Sequence, residues 1–182
     1  MKTTKHLRAT AAWALFAVTA GGLSTAIAGD HDGYHGNGRS HPKTCTLGQA
    51  QLDRNTRTAI AYYTLAFNAG EPRLAVEKYV GVDENGNKIY TQHNPFAQDG
   101  PEAFIAFVEF YKALFPDLHV DIKRTIAQCD LVMTHAHITT GPDDLGNVAM
   151  DIFRFDRTGR IVEHWDSVQP VEENSANDNT QF

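Results

Sequence analysis

The spacing of apolar positions changes once along the chain, from a helical repeat to an alternating one. The helical repeat first appears over residues 52–67, where Ile60, Tyr63 and Phe67 share one face. A second, short helix is predicted over residues 72–79, because proline is favoured in the first turn of a helix. A third helix starts at residue 101. Its apolar stripe consists of Phe104, Phe107, Val108, Tyr111, Leu114 and Phe115.

From residue 120 the apolar period falls to two, which predicts β-strands. The predicted strands cover residues 120–126, 131–139, 149–155 and 161–169, and the turn 156–159 joins the last two as a hairpin. A shorter extended segment, 89–95, precedes the third helix. Helices followed by antiparallel strands predict an α+β domain, in which about three N-terminal helices pack on a curved antiparallel sheet. The concave interior of such a sheet is the expected place for a site.

Both ends of the chain differ from this middle part. Residues 1–28 have the pattern of a secretory signal peptide: Lys2, Lys5 and Arg8, then an apolar run too short for a membrane span of about 20 residues, then small residues before the expected cleavage site. We therefore expect a periplasmic or secreted protein that has no membrane contact after cleavage. Residues 29–45 are rich in Gly and His and predict a flexible arm, and 172–182 predict a disordered acidic tail. Residues 46–171 remain as one domain.

Removal of the signal peptide changes the charge balance. The chain has 16 Lys+Arg and 22 Asp+Glu, and loss of the three basic residues of the signal leaves 13 against 22, a formal charge of −9 with His neutral. This charge argues against a nucleic-acid or anionic-membrane partner. An oxidising compartment would allow the only cysteines, Cys45 and Cys129, to form a disulfide, and a pair of free thiols is the alternative.

Asp151 is the first candidate for chemistry. Strand alternation places it on the same face as Ala149, Phe153 and Phe155. Burial among phenylalanines would raise the pKa of this carboxyl and make it a proton donor or acceptor near neutral pH. A solvated or structurally paired aspartate is the alternative interpretation.

His135 and His137 share one face of the preceding strand with apolar residues. Two imidazoles in register indicate a site more strongly than one histidine does. The same H-x-H spacing can chelate a transition metal if His93, His164 or a carboxylate supplies a third ligand. We expect no metal, because this spacing alone is a weak signal.

The last strand leaves its inward face undecided. His164 and Asp166 alternate with Trp165, and a β-bulge would exchange the two faces. Upstream, His93 precedes Asn94 and a proline that restricts the local backbone, which could direct the imidazole into the interior. A structural role for His93 in its loop is the alternative.

Several motifs in sequence order resemble the predicted SnoaL-like aldol-condensation enzymes of bacteria, over about residues 55–171. The motifs are Phe67-Asn68, Ala75-Val76-Glu77-Lys78-Tyr79, Gln92-His93-Asn94-Pro95, Asp99-Gly100, Ile122-Lys123-Arg124, Asp151-Ile152-Phe153-Arg154-Phe155 and Glu163-His164-Trp165-Asp166. The resemblance implies the cone-shaped fold shared with nuclear transport factor 2 and ketosteroid isomerase. It also places Asp151 at the position of the oxyanion-stabilising aspartic acid of ketosteroid isomerase. Because His135 and His137 stand where limonene epoxide hydrolase has its charged pair, epoxide hydration is not implied.

The combined expectation is cofactor-free general acid/base chemistry on a small carbonyl compound, either aldol condensation or cyclisation, or isomerisation. The expected catalytic residues are Asp151, His137, His93 and Asp166. The expected substrate-binding residues are His135, His164, Trp165, Asn94 and Phe153. Resemblance alone implies a homodimer formed through the outer sheet face. The alternatives are a non-catalytic exported module that binds a small hydrophobic ligand, and the histidine metal site described above.

Overall fold

The computed structural model describes residues 46–182, so the predicted signal peptide and arm lie outside the described residues. The α-helices are α1 (Gln49–Tyr63), α2 (Pro72–Tyr79) and α3 (Pro101–Leu114), and a short strand lies between α2 and α3. The strands are β1 (Thr91–Gln92), β2 (His119–Gln128), β3 (Leu131–Thr139), β4 (Asn147–Phe155) and β5 (Ile161–Pro170). They form one sheet in the order β1-β5-β4-β3-β2, in which only β1 pairs in parallel. The predicted α+β fold, with three helices on a curved sheet, is confirmed.

The first predicted helix has a change of pitch near its end. After Tyr63 the chain continues as a π-helical turn over Thr64–Asn68. The side-chain amide of Asn68 then pairs with edge strand β2: its Nδ2 donates to the Val120 carbonyl at 2.9 Å, and its Oδ1 accepts from the Val120 amide at 2.8 Å. These two bonds satisfy backbone groups of an edge strand and anchor the end of the helix to the sheet.

Aromatic side chains fill the space between the helices and the sheet. Phe153 is fully buried and meets the ring of Tyr63 edge-on, with 5.0 Å between the ring centroids. Tyr62 stacks on Phe104 at 4.9 Å. Because these rings occupy the concave side of the sheet, the interior polar groups lie in apolar surroundings.

The terminal segments show two further features. Residues 172–182 form no helix or strand, and the ring of Phe182 lies 4.3 Å from that of His137 on the outer face of the sheet. Cys129 is disulfide-bonded, while Cys45 lies outside the described residues. No helix within residues 46–182 is long and apolar enough to cross a membrane.

Candidate active site

A row of three polar residues crosses the concave face of the sheet. Thr134 of β3 is the cross-strand partner of Asp151 on β4, and Asp151 is the partner of Asp166 on β5. The Thr134 hydroxyl donates to Oδ2 of Asp151 at 3.1 Å. Only 2 % of Asp151 is exposed, so this carboxyl depends on protein groups for its hydrogen bonds.

Tyr63 and His164 bind the other oxygen of the carboxyl. The Tyr63 hydroxyl donates to Oδ1 of Asp151 at 2.7 Å and lies 3.1 Å from Nε2 of His164. Nε2 of His164 is 3.4 Å from the same Oδ1. The pKa of Tyr63 is raised well above its usual value, first by burial and then by the charge of Asp151. The hydroxyl therefore stays protonated and remains a donor.

Gln92 determines which nitrogen of His164 carries a proton. Its Oε1 accepts from the Asn94 amide at 2.9 Å, which identifies this atom as the oxygen of the side-chain amide. The same Oε1 lies 3.2 Å from Nδ1 of His164. Since an oxygen acceptor faces Nδ1, that nitrogen carries the hydrogen and Nε2 is directed toward Tyr63 and Asp151.

These contacts connect the carboxyl and the imidazole through a phenol. With Asp151 ionised, Tyr63 donates to it, and a protonated Nε2 of His164 can donate in turn. With His164 neutral, Tyr63 can instead donate to Nε2 and accept from a protonated Asp151. The two arrangements differ only in the positions of protons along hydrogen bonds, so the triad is suited to moving a proton.

Asp166 forms the more exposed side of this cluster. Nδ2 of Asn94 donates to Oδ1 of Asp166 at 2.7 Å. The pKa of Asp166 is raised, mainly by loss of solvent and also by the charge of Asp151, while His164 acts in the opposite direction. Asp166 and Asn94 are thus half-buried, whereas Asp151 is buried.

Two buried hydroxyls near the triad are unsatisfied. The hydroxyls of Tyr62 and Tyr90 face each other but form no hydrogen bond of adequate geometry. The ring of Tyr90 stacks on His164, with 5.8 Å between the centroids. Burial raises the pKa of the Tyr90 hydroxyl well above its usual value, and the charges of Asp151 and Asp166 raise it further. A buried donor without a partner is rare in a folded protein.

Comparisons with known proteins agree with this fold. Residues 59–164 match the family model described as the SnoaL-like domain. The chain belongs to this family. A search of curated proteins finds no match.

Solved structures of other proteins resemble the fold of this SnoaL-like domain. A candidate polyketide cyclase from Bacillus cereus ATCC 10987 is 20 % identical and superposes with a TM-score of 0.54, covering 67 % of this chain and 78 % of its own. A candidate SnoaL-like polyketide cyclase from Jannaschia sp. CCS1 is 17 % identical, with a TM-score of 0.52 and coverage of 67 % and 90 %. AclR, a candidate hydroxylase from Streptomyces galilaeus, is 16 % identical, with a TM-score of 0.52 and coverage of 65 % and 90 %. At these identities the likeness shows the fold alone.

Among the residues predicted for the SnoaL-like site, five meet in the interior. Asp151, His164 and Phe153 are buried there, and Asp166 and Asn94 lie at the more exposed side. The alternation that placed Asp151 among phenylalanines is therefore correct. The inward face of β5, which the sequence left open, is the one that carries His164 and Asp166.

The predicted grouping of His135 and His137 with Asp151 is wrong, because both imidazoles lie on the outer face of the sheet. Nη1 of Arg124 donates to Nδ1 of His135 at 2.7 Å, and Nε2 of His137 lies 2.8 Å from the Leu145 carbonyl. The guanidinium occupies a lone pair that a metal would need, which argues against the H-x-H metal site. Residues on either side of these histidines, such as Thr134, face the interior instead.

His93 and Trp165 also lie outside the interior, contrary to the prediction. Their rings stack at 4.6 Å and are tilted by only 3°. Nε2 of His93 lies 2.8 Å from Oε1 of Glu163, and the other oxygen of this carboxylate, Oε2, accepts from Nε of Arg154 at 2.5 Å. His93 therefore attaches the β1 segment to the outer face of β5.

Sequence reasoning missed Tyr63, Thr134, Gln92 and Tyr90. Tyr63 was assigned to the apolar face of the first helix, and its helical spacing gives no indication that its hydroxyl meets a carboxyl 88 residues away. Thr134 could have been found, because it alternates with inward apolar residues on β3 and lies opposite Asp151 in the register.

Two open grooves of this SnoaL-like domain lie away from the triad. One, of about 400 Å³, is lined by Arg57, Ile60, Ala61, Thr64, Leu65, Ala69, Lys78 and Tyr79 on the helical side. The other, of about 440 Å³, lies on the outer face of the sheet and is lined by Arg124, Ile126, Met133, His135, Val148, Met150, Ser167 and Gln169. Neither groove is lined by Tyr63, Asp151 or His164.

Proposed function

We propose that this protein is a SnoaL-like enzyme that transfers a proton next to the carbonyl group of a small compound, in an aldol-type cyclisation or an isomerisation. The observation that carries the proposal is the hydrogen-bonded triad of Tyr63, Asp151 and His164 among buried aromatic rings. Family membership supports a small-molecule substrate and cofactor-free cyclase-like or isomerase-like chemistry as the general class.

Each member of the triad has a role in this reaction. Asp151 removes or returns the proton, or, when neutral, donates to an enolate oxygen, as in the ketosteroid isomerase example of a carboxylic acid kept protonated by apolar surroundings. Tyr63 stays protonated, and its hydroxyl links the carboxyl to His164 through hydrogen bonds. Tyr90, whose hydroxyl is unsatisfied, donates to the same carbonyl oxygen.

Hydrogen–deuterium exchange next to a carbonyl tests the proposal without knowledge of the natural substrate. Small ketones and 1,3-dicarbonyl compounds are incubated in D₂O with metal-free protein, and loss of the α-proton signal is followed by NMR. Asp151→Asn should lower the exchange rate by about 10²- to 10⁴-fold, the usual contribution of a positioned acid or base. The matched control, His137→Gln on the outer face, should retain the rate. An Asp151→Asn protein that exchanges as fast as wild type would contradict the proposal.

A binding module for a hydrophobic ligand is the second candidate. The observation in its favour is that the open grooves are partly apolar and lie away from the triad. Saturable binding of a probe compound without any acceleration of exchange would support this function over the first.

Localisation in the periplasm or outside the cell remains a proposal based on residues 1–28. Mass determination of the protein recovered from a periplasmic extract tests it. A mature chain that starts near residue 29 is expected, and an intact Met1 would contradict it.

A further inference from the structure

The same interior cluster has the composition of a metal site on residues that the sequence did not assign to one. Oxygens of Asp151 and Asp166 and a ring nitrogen of His164 lie within 4.8 Å of one another. Nε2 of His164 and Oδ1 of Asp151 are 3.4 Å apart. Adjacent ligands placed about 2.1 Å from one ion are separated by roughly 3.0–3.4 Å at octahedral or tetrahedral angles.

The tautomer of His164 is the one that a metal ligand requires. Gln92 accepts the hydrogen on Nδ1, so the lone pair of a neutral imidazole is on Nε2, which lies 3.4 Å from Oδ1 of Asp151 and 3.1 Å from the Tyr63 hydroxyl that an ion would displace. A metal-bound histidine almost always donates its other ring hydrogen to such an acceptor. Gln92 therefore already holds the position of an outer-shell partner.

Charge and unsatisfied hydrogen bonding both favour a cation here. Within residues 46–182, neither Asp151 nor Asp166 pairs with Lys or Arg, and their partners are hydroxyls, an amide and His164. Tyr90 is 3 % exposed, its hydroxyl faces that of Tyr62 without a hydrogen bond of adequate geometry, and the charges of both carboxylates act on it. An ion with a bound water would neutralise the carboxylates, and the water could accept from Tyr90.

We infer that Asp151, His164 and Asp166 form a site for one divalent cation of the Zn²⁺, Fe²⁺ or Co²⁺ type, with Gln92 as its outer-shell partner. One nitrogen and two carboxylate oxygens are the ligand set of borderline cations of this kind. Asp166 is the most exposed of the three, and it completes the site by a side-chain rotation that exchanges its bond from Asn94 for the ion. The inference does not rest on the proposed proton transfer.

Metal analysis of the full mature chain tests the site directly. The protein is treated with chelator, dialysed against Co²⁺ or Zn²⁺, and its bound metal and affinity are measured. We expect one ion per chain. His164→Gln and Asp166→Asn should each weaken binding by at least about 10-fold, and Gln92→Leu by about 10- to 100-fold, as for outer-shell partners.

Two control variants distinguish this site from other histidines. One replaces His135 and His137 on the outer face with glutamine, and the other replaces His31, His35 and His41 of the N-terminal arm. Both should keep the ion. Because His164→Gln could disturb packing, each protein is checked by circular dichroism, and the more exposed Asp166→Asn serves as the second test.

Binding that disappears in either control variant and survives in His164→Gln and Asp166→Asn would overturn the inference. Absence of tight Co²⁺ and Zn²⁺ binding by folded wild-type protein would overturn it as well. The ion and the transferred proton compete for the same lone pairs, so the deuterium-exchange test uses metal-free protein. Failure of one proposal is thereby distinguishable from failure of the other.

Discussion

Replacing Tyr63 with phenylalanine removes one oxygen atom from the centre of the buried network and leaves its ring in place. The lost hydroxyl donates at 2.7 Å to Asp151 and lies 3.1 Å from His164, and all three residues are at most 4 % exposed. The carboxyl is too little exposed for bulk solvent to replace the lost donor fully. A hydrogen bond to a charged group contributes about 1.5–3 kcal/mol, so Tyr63→Phe should lower the free energy of unfolding by this amount.

Urea denaturation followed by circular dichroism measures this loss as a lower midpoint at an unchanged slope. The control is Tyr79→Phe, because Tyr79 is partly buried at a groove and its hydroxyl makes no hydrogen bond within residues 46–182. Its stability should change by less than about 0.5 kcal/mol. A double-mutant cycle with Asp151→Asn should give a coupling energy of at least about 0.5 kcal/mol. If Tyr63→Phe is no more destabilising than Tyr79→Phe, the network described for Asp151 is refuted.

Three further predictions test other parts of the structure. Long-range ¹H–¹⁵N NMR correlations should show neutral His164 protonated on Nδ1, because Gln92 accepts there. Neutral His135 should instead be protonated on Nε2, because Arg124 donates to its Nδ1. The same tautomer in both rings would contradict one of these assignments. Gly146→Ala should lower the free energy of unfolding by more than about 2 kcal/mol in chemical denaturation, because φ is 77° and the new Cβ would lie 2.2 Å from a backbone oxygen. The control Gly141→Ala should change this free energy by less than about 0.5 kcal/mol, because no atom lies within 4 Å of the new Cβ. In the same assay Ile161→Val should cost about 0.5–1.5 kcal/mol because Ile161 is fully buried, while Ile126→Val, 59 % exposed, should cost far less; equal losses would show that the core is placed incorrectly.

The β3 histidines show why alternation alone cannot define a site. Alternation correctly places His135 and His137 on one face of the strand, but it does not determine which face meets the helices. Apolar residues occur on both faces of β3, since Val132 is buried in the core and Met133 lines the outer groove. Phe182 also covers part of the outer face beside His137. Two imidazoles among apolar neighbours therefore resemble a pocket although they lie outside it.

A β-bulge decided the orientation of β5. The register shifts between Arg154 and Phe155, so that Phe155 pairs with Ile161 and Arg154 pairs with Glu163. Ile161 and His164 are consequently both buried, although strict alternation would place them on opposite faces. The bulge is a property of the pairing between β4 and β5, so the sequence of β5 alone does not show which of its faces is inward.

The sequence by itself determined the order of helices and strands, the α+β fold and the inward face of Asp151, because these depend on residue spacing within one element. The tertiary structure decided which groups surround that carboxyl. Tyr63 comes from the first helix, Thr134 from a neighbouring strand, and His164 from beyond a bulge, held in one tautomer by Gln92 from a two-residue edge strand. These positions depend on packing and strand register between distant segments, which local periodicity does not encode. Asp151 is therefore predictable as a candidate, whereas the triad that gives it a chemical role exists only in the folded chain.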